Sequence, residues 1–319
     1  MNPVSDRSGI VLVDKPEGMS SFAVVSRIRK ILNIKKAGHA GTLDPFATGL
    51  LVIAVGRATR VLRYMENDSK VYRAVMVLGT ITSTGDTEGE IIGGKKPDES
   101  ELSALSEGDF GKVREAVMSM VGQITQVPSS YSAIKIAGRP AYDYARKGQE
   151  VKIPARQVTI HDITIGKITV EEGTIAVEMT VSCSKGTYIR TLCEDIGNAL
   201  GFGAYCRSLR RLRSGDFTID EACTLEKIEE MERSGNTSYA RDEAEAMRTL
   251  PRIEVTKKEA QDMRNGKKLD FSCFKDRMGS VGAGENARVL AMCGGQMVAV
   301  IYEEETDGTI LIREERVFT

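Results

Sequence analysis

The sequence predicts a mixed α/β fold followed by a small β-rich C-terminal module, and three observations carry that prediction. Apolar runs of strand length interleave with amphipathic helical stretches, but without the regular βα alternation of a doubly wound sheet. The 319 residues, 41% of them hydrophobic, suffice for one large domain and one small one. Finally, an acidic and polar stretch from 224 to 248 precedes LPRIEV, which places a boundary at 249/250 between residues 1–249 and 250–319.

The elements follow in order. GIVLVDKPEG (9–18) reads as a strand closed by a Pro/Gly turn, and Ser20 or Ser21 then caps a helix in which Phe22, Val25, Ile28 and Leu32 recur at helical spacing. GHAGTLDPFATG (38–49) is a small-sided, turn-rich loop around Asp44. LLVIAVG (50–56) is a buried strand by length and apolarity, RATRVLRYM (57–65) a short basic helix, and VYRAVMVLG (71–79) another strand. TITSTGDTEGEIIGGKKPDES is a polar, Gly-rich loop region whose Asp86 and Glu88 lack the full calcium-loop pattern, and a helix is predicted from 111 to 121. TIAVEMTVS (174–182) alternates like a half-buried strand. SKGTYIRTLCEDIGNALG (184–201) turns into a helix stopped by Gly201. TLEKIEEMERSG (224–235) is an acidic helix, and the tail holds a short helix (KKEAQDMRNG) and two strands (QMVAVIYEEE, GTILIREERVF).

Composition narrows the chemistry. No run reaches the roughly 18 apolar residues of a membrane span, and the N-terminus lacks the pattern of a signal peptide, so a cytoplasmic, membrane-free protein is expected. Six cysteines without a Cys-x-x-Cys pair, and only His39 and His161 as imidazoles, point to buried thiols and to catalysis with no metal. The net charge is −1, but residues 22–63, 131–156 and 185–213 together hold 20 Lys/Arg against 5 acids, leaving 24 basic and 40 acidic residues elsewhere. Gathered in space, those segments would form a positive cleft for a polyanion.

Two positions invite a chemical explanation. Asp44 sits on a Gly-flanked loop that lets a carboxylate approach a ligand closely, with Pro45 holding it extended. Arg190 falls in the first turn of a helix, where a cation opposes the helix dipole and asks for an acid or a phosphate. Tyr72, at a strand start, reads by itself as a core aromatic.

GIVLVDKPEGMSS, AGHAGTLDPFATGLLVIAVGRATR, VYRAVMVLGTITSTGDTEGE, QVPSSYSAIKIAGRPAYDYARKG and CSKGTYIRTLCEDIG closely resemble, in order and spacing, the tRNA pseudouridine synthase B (TruB) family over about residues 10–235. One departure is Ser129, where members often carry a second proline after Pro128. The tail resembles a PUA-type RNA-binding module. The resemblance implies a pseudouridine synthase core with a mixed, largely antiparallel sheet, an RNA-gripping insert at about 124–152, no cofactor, and tRNA as substrate, at uridine 55 of the T-arm loop; a monomer is expected on the same ground. It makes Asp44 the catalytic aspartate, Tyr72 the active-site tyrosine and Arg190 the arginine that pairs with the aspartate. Leu209 lines the uracil pocket, Lys15 and Pro16 form a support motif, and His39 holds the extruded nucleotide from the RNA-binding loop. Thr42, Lys185 and Tyr188 join the substrate-binding set, and Arg210 and Arg211, with Arg207 and Arg213, are assigned to phosphates of the RNA backbone.

Chemically, the isomerisation breaks C1′–N1, turns the uracil and rejoins it through C5, so no atom is gained. The carboxylate either attacks C1′ or removes the C2′ proton; the sequence leaves both open. A paired arginine favours the ionised aspartate. Two other readings stand beside this one: a guide-RNA-dependent dyskerin-type synthase, and a non-catalytic RNA-binding or tRNA-folding protein.

Overall fold

The computed structural model describes residues 8–65, 69–129, 135–136, 139–140, 144, 149, 151, 153–267, 269–270, 274–280, 288–306 and 309–318. Most of the predicted insert at 124–152 therefore lies outside the described residues. The strands are β1 (Gly9–Lys15), β2 (Ala37–Ala40), β3 (Thr48–Val55), β4 (Lys70–Leu78), β5 (Ile81–Thr82), β6 (Ile91–Gly93), β7 (Gly122–Gln126), β8 (Lys135–Ile136), β9 (Arg139–Pro140), β10 (Arg156–Glu171), β11 (Thr174–Cys183), β12 (Ala204–Ser214), β13 (Phe217–Thr218) and β14 (Ala240–Arg241). The chain continues with β15 (Arg252–Glu254), β16 (Leu269–Asp270), β17 (Val289–Cys293), β18 (Gln296–Thr306) and β19 (Thr309–Val317). The helices are α1 (Ser21–Ile31), α2 (Glu99–Met118), α3 (Ile189–Ala199), α4 (Leu225–Arg233), α5 (Lys257–Arg264) and α6 (Lys275–Ser280).

Ten strands form the main sheet in the order β14-β1-β3-β12-β4-β11-β10-β7, with β2 against β3 and β13 against β12. Among the described residues of this sheet only β3 and β12 pair in parallel, so the sheet is mixed and largely antiparallel, as expected. The unbroken apolar run of β3 has a direct cause. Leu50, Val52 and Ala54 face one hydrophobic cluster while Leu51, Ile53 and Val55 face another, so both sides of the strand are covered. One side packs under α1 and α4, and the other meets Leu290, Met292, Met297, Val300 and Phe318 of the second sheet. Farther along, Tyr72, Ala74 and Met76 of β4 and Ile175, Val177 and Met179 of β11 pack with α2 and α3. Each such fully buried aliphatic side chain contributes about 1.5–3 kcal/mol by leaving water.

The second sheet, β15-β17-β18-β19-β16, is the predicted β-rich element of the tail. It begins at Arg252, whereas the main sheet ends at Arg241. An Arg63–Glu315 ion pair at 2.8 Å ties the segment between β3 and β4 to β19.

Local signals account for the helices and for two differences. The Ser20 hydroxyl caps α1, accepting from the Ala23 N–H at 3.1 Å. Residues 57–65 form two 3₁₀ turns, Gly56–Arg60 and Leu62–Met65, instead of one basic helix; Ala58 and Val61, three apart, are buried on the side that a 3₁₀ turn stacks. Helix α2 begins at Glu99, well before 111, because Asp98 and Glu101 form a capping box; it is interrupted at 107–110 before resuming to Met118. The cysteines also divide: Cys183, Cys193 and Cys206 are buried, whereas Cys223 and Cys293 are only partly so, and Cys273 lies outside the described residues. Among the described residues no helix is long and apolar enough to cross a membrane, and no group of His, Cys, Asp and Glu could hold a metal ion.

Candidate active site

The loop between β2 and β3 carries Asp44, and its backbone is held at several points. The Ser21 hydroxyl donates to the Leu43 carbonyl at 2.9 Å and accepts from the Leu43 N–H at 2.8 Å. The Lys15 ammonium donates to the carbonyls of Pro16 (2.8 Å), Met19 (2.6 Å) and Pro45 (3.1 Å). Leu43, Phe46 and Ala47 drive into the core, which leaves Asp44 as the polar side chain turned the other way, with a third of its side-chain surface open. At the loop's exit Gly49 has φ +99°, and a Cβ there would stand 2.4 Å from the Arg211 carbonyl oxygen. The small residues of GHAGTLDPFATG thus serve close backbone approach.

Arg190 enters from the first turn of α3 and is 3% exposed. Its Nε lies 3.0 Å from Asp44 Oδ2, its Nη1 lies 3.1 Å from Asp86 Oδ2, and the same Nη1 donates to the Thr84 carbonyl at 2.5 Å. Asp86, 2% exposed, accepts at Oδ1 from the Thr84 hydroxyl (2.5 Å) and the Glu88 N–H (2.9 Å). In the sequence Asp86 reads only as part of an incomplete calcium loop, and its pairing with Arg190 emerges with the fold. A readable signal did exist: an arginine in a first helical turn needs acids, and TGDTEG offers an aspartate in a tight polar turn.

Sharing the arginine changes the electrostatics. Burial pushes the Asp44 carboxyl above its usual range; Arg190 pulls it back, and the nearby Asp86 charge raises it again. The sequence-based expectation that pairing with Arg190 would favour ionisation names a real contribution, but burial outweighs it. Glu194, on the next part of α3, is pushed up to about 7 by burial. Burial also raises the Tyr72 phenol, against the Arg211 guanidinium, which lowers it.

These groups open on a cleft of about 310 Å³. It brings together Thr42, Asp44, Tyr72, Lys185, Tyr188, Arg190, Leu209 and Arg211 from the predicted set and adds Lys70. Such a volume is at the small end of ligand sites, suited to one ring and its attached sugar. Tyr188 is fixed by Gln126, whose amide donates to the Tyr188 carbonyl (3.1 Å) and accepts from its N–H (3.0 Å).

His39, Lys15, Pro16, Arg207, Arg210 and Arg213 lie outside the cleft lining. His39 belongs to strand β2, opposite Ile53, and not to the loop; burial and the Arg211 charge hold its imidazole below its usual range. Lys15 sits beneath the loop, whereas Pro16 is exposed in the turn after β1. Lys15 is 0% exposed, and burial lowers its ammonium to about 8, so it supports the loop and does not reach RNA. Arg210 makes a two-pronged pair with Asp14, at 3.0 and 2.8 Å.

Arg211, although it borders the cleft, is 1% exposed, which corrects its assignment to RNA phosphates. The physical reason is strand geometry: neighbours on β12 point to opposite faces, so Arg210 and Arg211 cannot form one cationic row. Arg207 is likewise engaged, with Glu171 at 2.6 Å.

Lys15→Met is expected to remove the ammonium that ties the Pro45 carbonyl of the Asp44 loop to the Pro16 and Met19 carbonyls of the turn after β1, to lower stability by about 2–4 kcal/mol and to slow the reaction by loosening Asp44. Thermal unfolding and single-turnover rates check this; unchanged values for both contradict the support role.

Comparison with known proteins shows the family. Residues 29–189 match the model of the TruB family pseudouridylate synthase N-terminal domain, and residues 190–250 that of the tRNA pseudouridylate synthase B C-terminal domain. The tRNA pseudouridine synthase B of Syntrophotalea carbinolica is 47% identical over 248 residues, 78% of this chain and 77% of that protein. Its counterpart in Corynebacterium diphtheriae is 42% identical over 302 residues, 95% and 98% of the two chains. Among solved structures, a chain of an H/ACA RNP bound to a substrate RNA containing 2′-deoxyuridine superposes with a TM-score of 0.69 at 25% identity, covering 98% of this chain and 85% of that one. A chain of a Cbf5-Nop10-Gar1 complex gives 0.68 at 26% over the same shares. With a carboxylate loop, its arginine and an aromatic cleft wall in place, and both family models matched end to end across residues 29–250, the chain belongs to the TruB family of pseudouridylate synthases.

Proposed function

We propose that this protein isomerises uridine to pseudouridine in tRNA, at position 55 of the T-arm loop, with Asp44 as the catalytic carboxylate. The observation that carries the reading is the placement of Asp44: oriented by Arg190 at 3.0 Å, it faces a cleft that Tyr72 and Leu209 also line. The target nucleotide flips out of the loop, which costs a few kcal/mol of stacking. The uracil then lies against Tyr72 and Leu209 while its sugar meets Asp44. The carboxylate either bonds to C1′ as C1′–N1 breaks, and is displaced when C5 of the turned uracil attacks C1′, or takes the C2′ proton as C1′–N1 breaks and returns it to C2′ as C5 bonds to C1′; in both routes the C5 proton then leaves and N1 gains one. Tyr72, the aromatic beside the base, assists that last transfer. Lys185 at the cleft rim is suited to a phosphate, and Thr42 and Tyr188 to the flanking nucleotide.

The 42–47% identity to proteins named tRNA pseudouridine synthase B, against 25–26% to the H/ACA chains, supports a guide-independent enzyme. Residues 250–319 act as a PUA-like module that adds affinity for the tRNA body. The enzyme works as a monomer in the cytoplasm. An isolated T-arm hairpin offered without guide RNA tests this reading. Conversion of its target uridine supports it, and conversion only after a guide RNA is added overturns it. Deletion of residues 250–319 is expected to weaken tRNA binding more than it lowers the single-turnover rate at saturating RNA; loss of the rate alone contradicts a purely binding role for the module.

A further inference from the structure

Arg211 is the bulkiest of the fully buried side chains among the described residues, and its guanidinium makes contacts at both ends of the catalytic loop. Its Nε donates to the Leu50 carbonyl at 2.7 Å, and its Nη2 donates to the Gly41 carbonyl at 3.1 Å. Those carbonyls mark where the chain enters and leaves the segment that carries Asp44. On the neighbouring strand Arg211 stands directly opposite Tyr72, and its positive charge lowers the buried tyrosine phenol against the effect of burial. On its other side it is registered with Gly49, whose lack of a side chain lets β3 approach.

No carboxylate among the described residues pairs with Arg211. Burying an unpaired cation is costly, and a methionine would fill much of the same space without that cost. The charge is therefore retained for what the planar fork does: it presents donors in fixed directions to groups on different elements. A lysine, a point charge on a flexible stem, cannot hold the same set.

We propose that Arg211 is a positioning residue that sets the separation of Asp44 and Tyr72, by tying both ends of the 41–50 segment to one rigid group on the strand position directly opposite Tyr72. This rests on the pseudouridine synthase reading of the cleft. Arg211 touches neither the base nor a phosphate, and it acts through the two residues that do the chemistry.

A double-mutant cycle with full-length protein and an unmodified tRNA transcript tests the proposal. Arg211→Met, Arg211→Lys, Tyr72→Phe and the combined variants are compared with wild type in single turnover at saturating enzyme, alongside thermal unfolding and tRNA titrations at several salt concentrations. The expected result is a rate lowered about 100-fold by Arg211→Met, with tRNA affinity and its salt slope unchanged. Adding Tyr72→Phe to Arg211→Met then slows the reaction less than about threefold further, although Tyr72→Phe alone slows it at least about tenfold. Arg211→Lys recovers part of the rate. If Arg211→Met does not fold, the Arg211→Lys cycle carries the same comparison. Independent, multiplying effects overturn the proposal, as does a Tyr72→Phe variant with the wild-type rate. A weakened affinity with a salt slope reduced by about 1, at an unchanged saturating rate, overturns it in favour of a phosphate contact. A wild-type protein that forms no pseudouridine in this assay refutes instead the reading of the cleft.

Discussion

Asp44→Asn is expected to lower turnover by at least about 1000-fold while tRNA affinity stays within about threefold of wild type. The carboxylate oxygen is what reacts at the sugar, whereas the amide keeps the size of the side chain and one acceptor oxygen. The same substitution is expected to leave the melting temperature at neutral pH equal or higher. Burial raises the Asp44 carboxyl above its unfolded value, so between those two values the folded state binds more protons, and stability falls as pH rises through that window. Above it, the ionised Asp44 is a standing cost that asparagine removes. For the wild type, the acid limb of the single-turnover rate should lie above the ordinary aspartate range. A melting temperature several degrees lower for Asp44→Asn at neutral pH, or an acid limb at or below the ordinary range, contradicts this electrostatic account.

Arg190→Met should be the most damaging substitution for the site as a whole. It leaves Asp86 almost fully buried without its counter-ion, and Asp44 without the group that orients it. Breaking a buried pair by removing one partner costs about 3–5 kcal/mol. The rate is expected to fall at least about 100-fold beyond any loss of folded protein. Combining Arg190→Met with Asp86→Asn should restore part of the stability, since the stranded charge is gone, but none of the rate. A double variant no more stable than Arg190→Met alone would show that the Arg190–Asp86 pair contributes nothing to the fold.

What the sequence disclosed follows from how local each signal is. Asp44, Tyr72, Arg190 and Leu209 meet in one cleft because the β2–β3 loop, the start of β4, the start of α3 and the middle of β12 converge there. The continuous apolarity of LLVIAV correctly marked a strand covered on both faces. The arginines of SLRRLR were misread as a cationic row because the density of charge was visible and the pleat was not. Once 204–214 is a strand, Arg211 must face away from Arg210, inward to Tyr72 and the Asp44 loop. Asp86 was missed for the complementary reason: its partner lies more than 100 residues away, and only the sheet, through the pairing of Asp86 with Cys206, brings the two turns together. The start of α2 was legible in PDESE, where Asp98 and Glu101 form a capping box, but the Gly-rich surroundings disguised it.

The central claim is that the Asp44 cleft performs the isomerisation on tRNA with no added cofactor, metal or guide. The measurement that tests it most directly is pseudouridine mapped to the nucleotide in an unmodified tRNA transcript, with wild type and Asp44→Asn side by side. The account predicts product at the T-loop uridine with wild type alone. Tight tRNA binding by wild type without product, or equal product from both proteins, would contradict it.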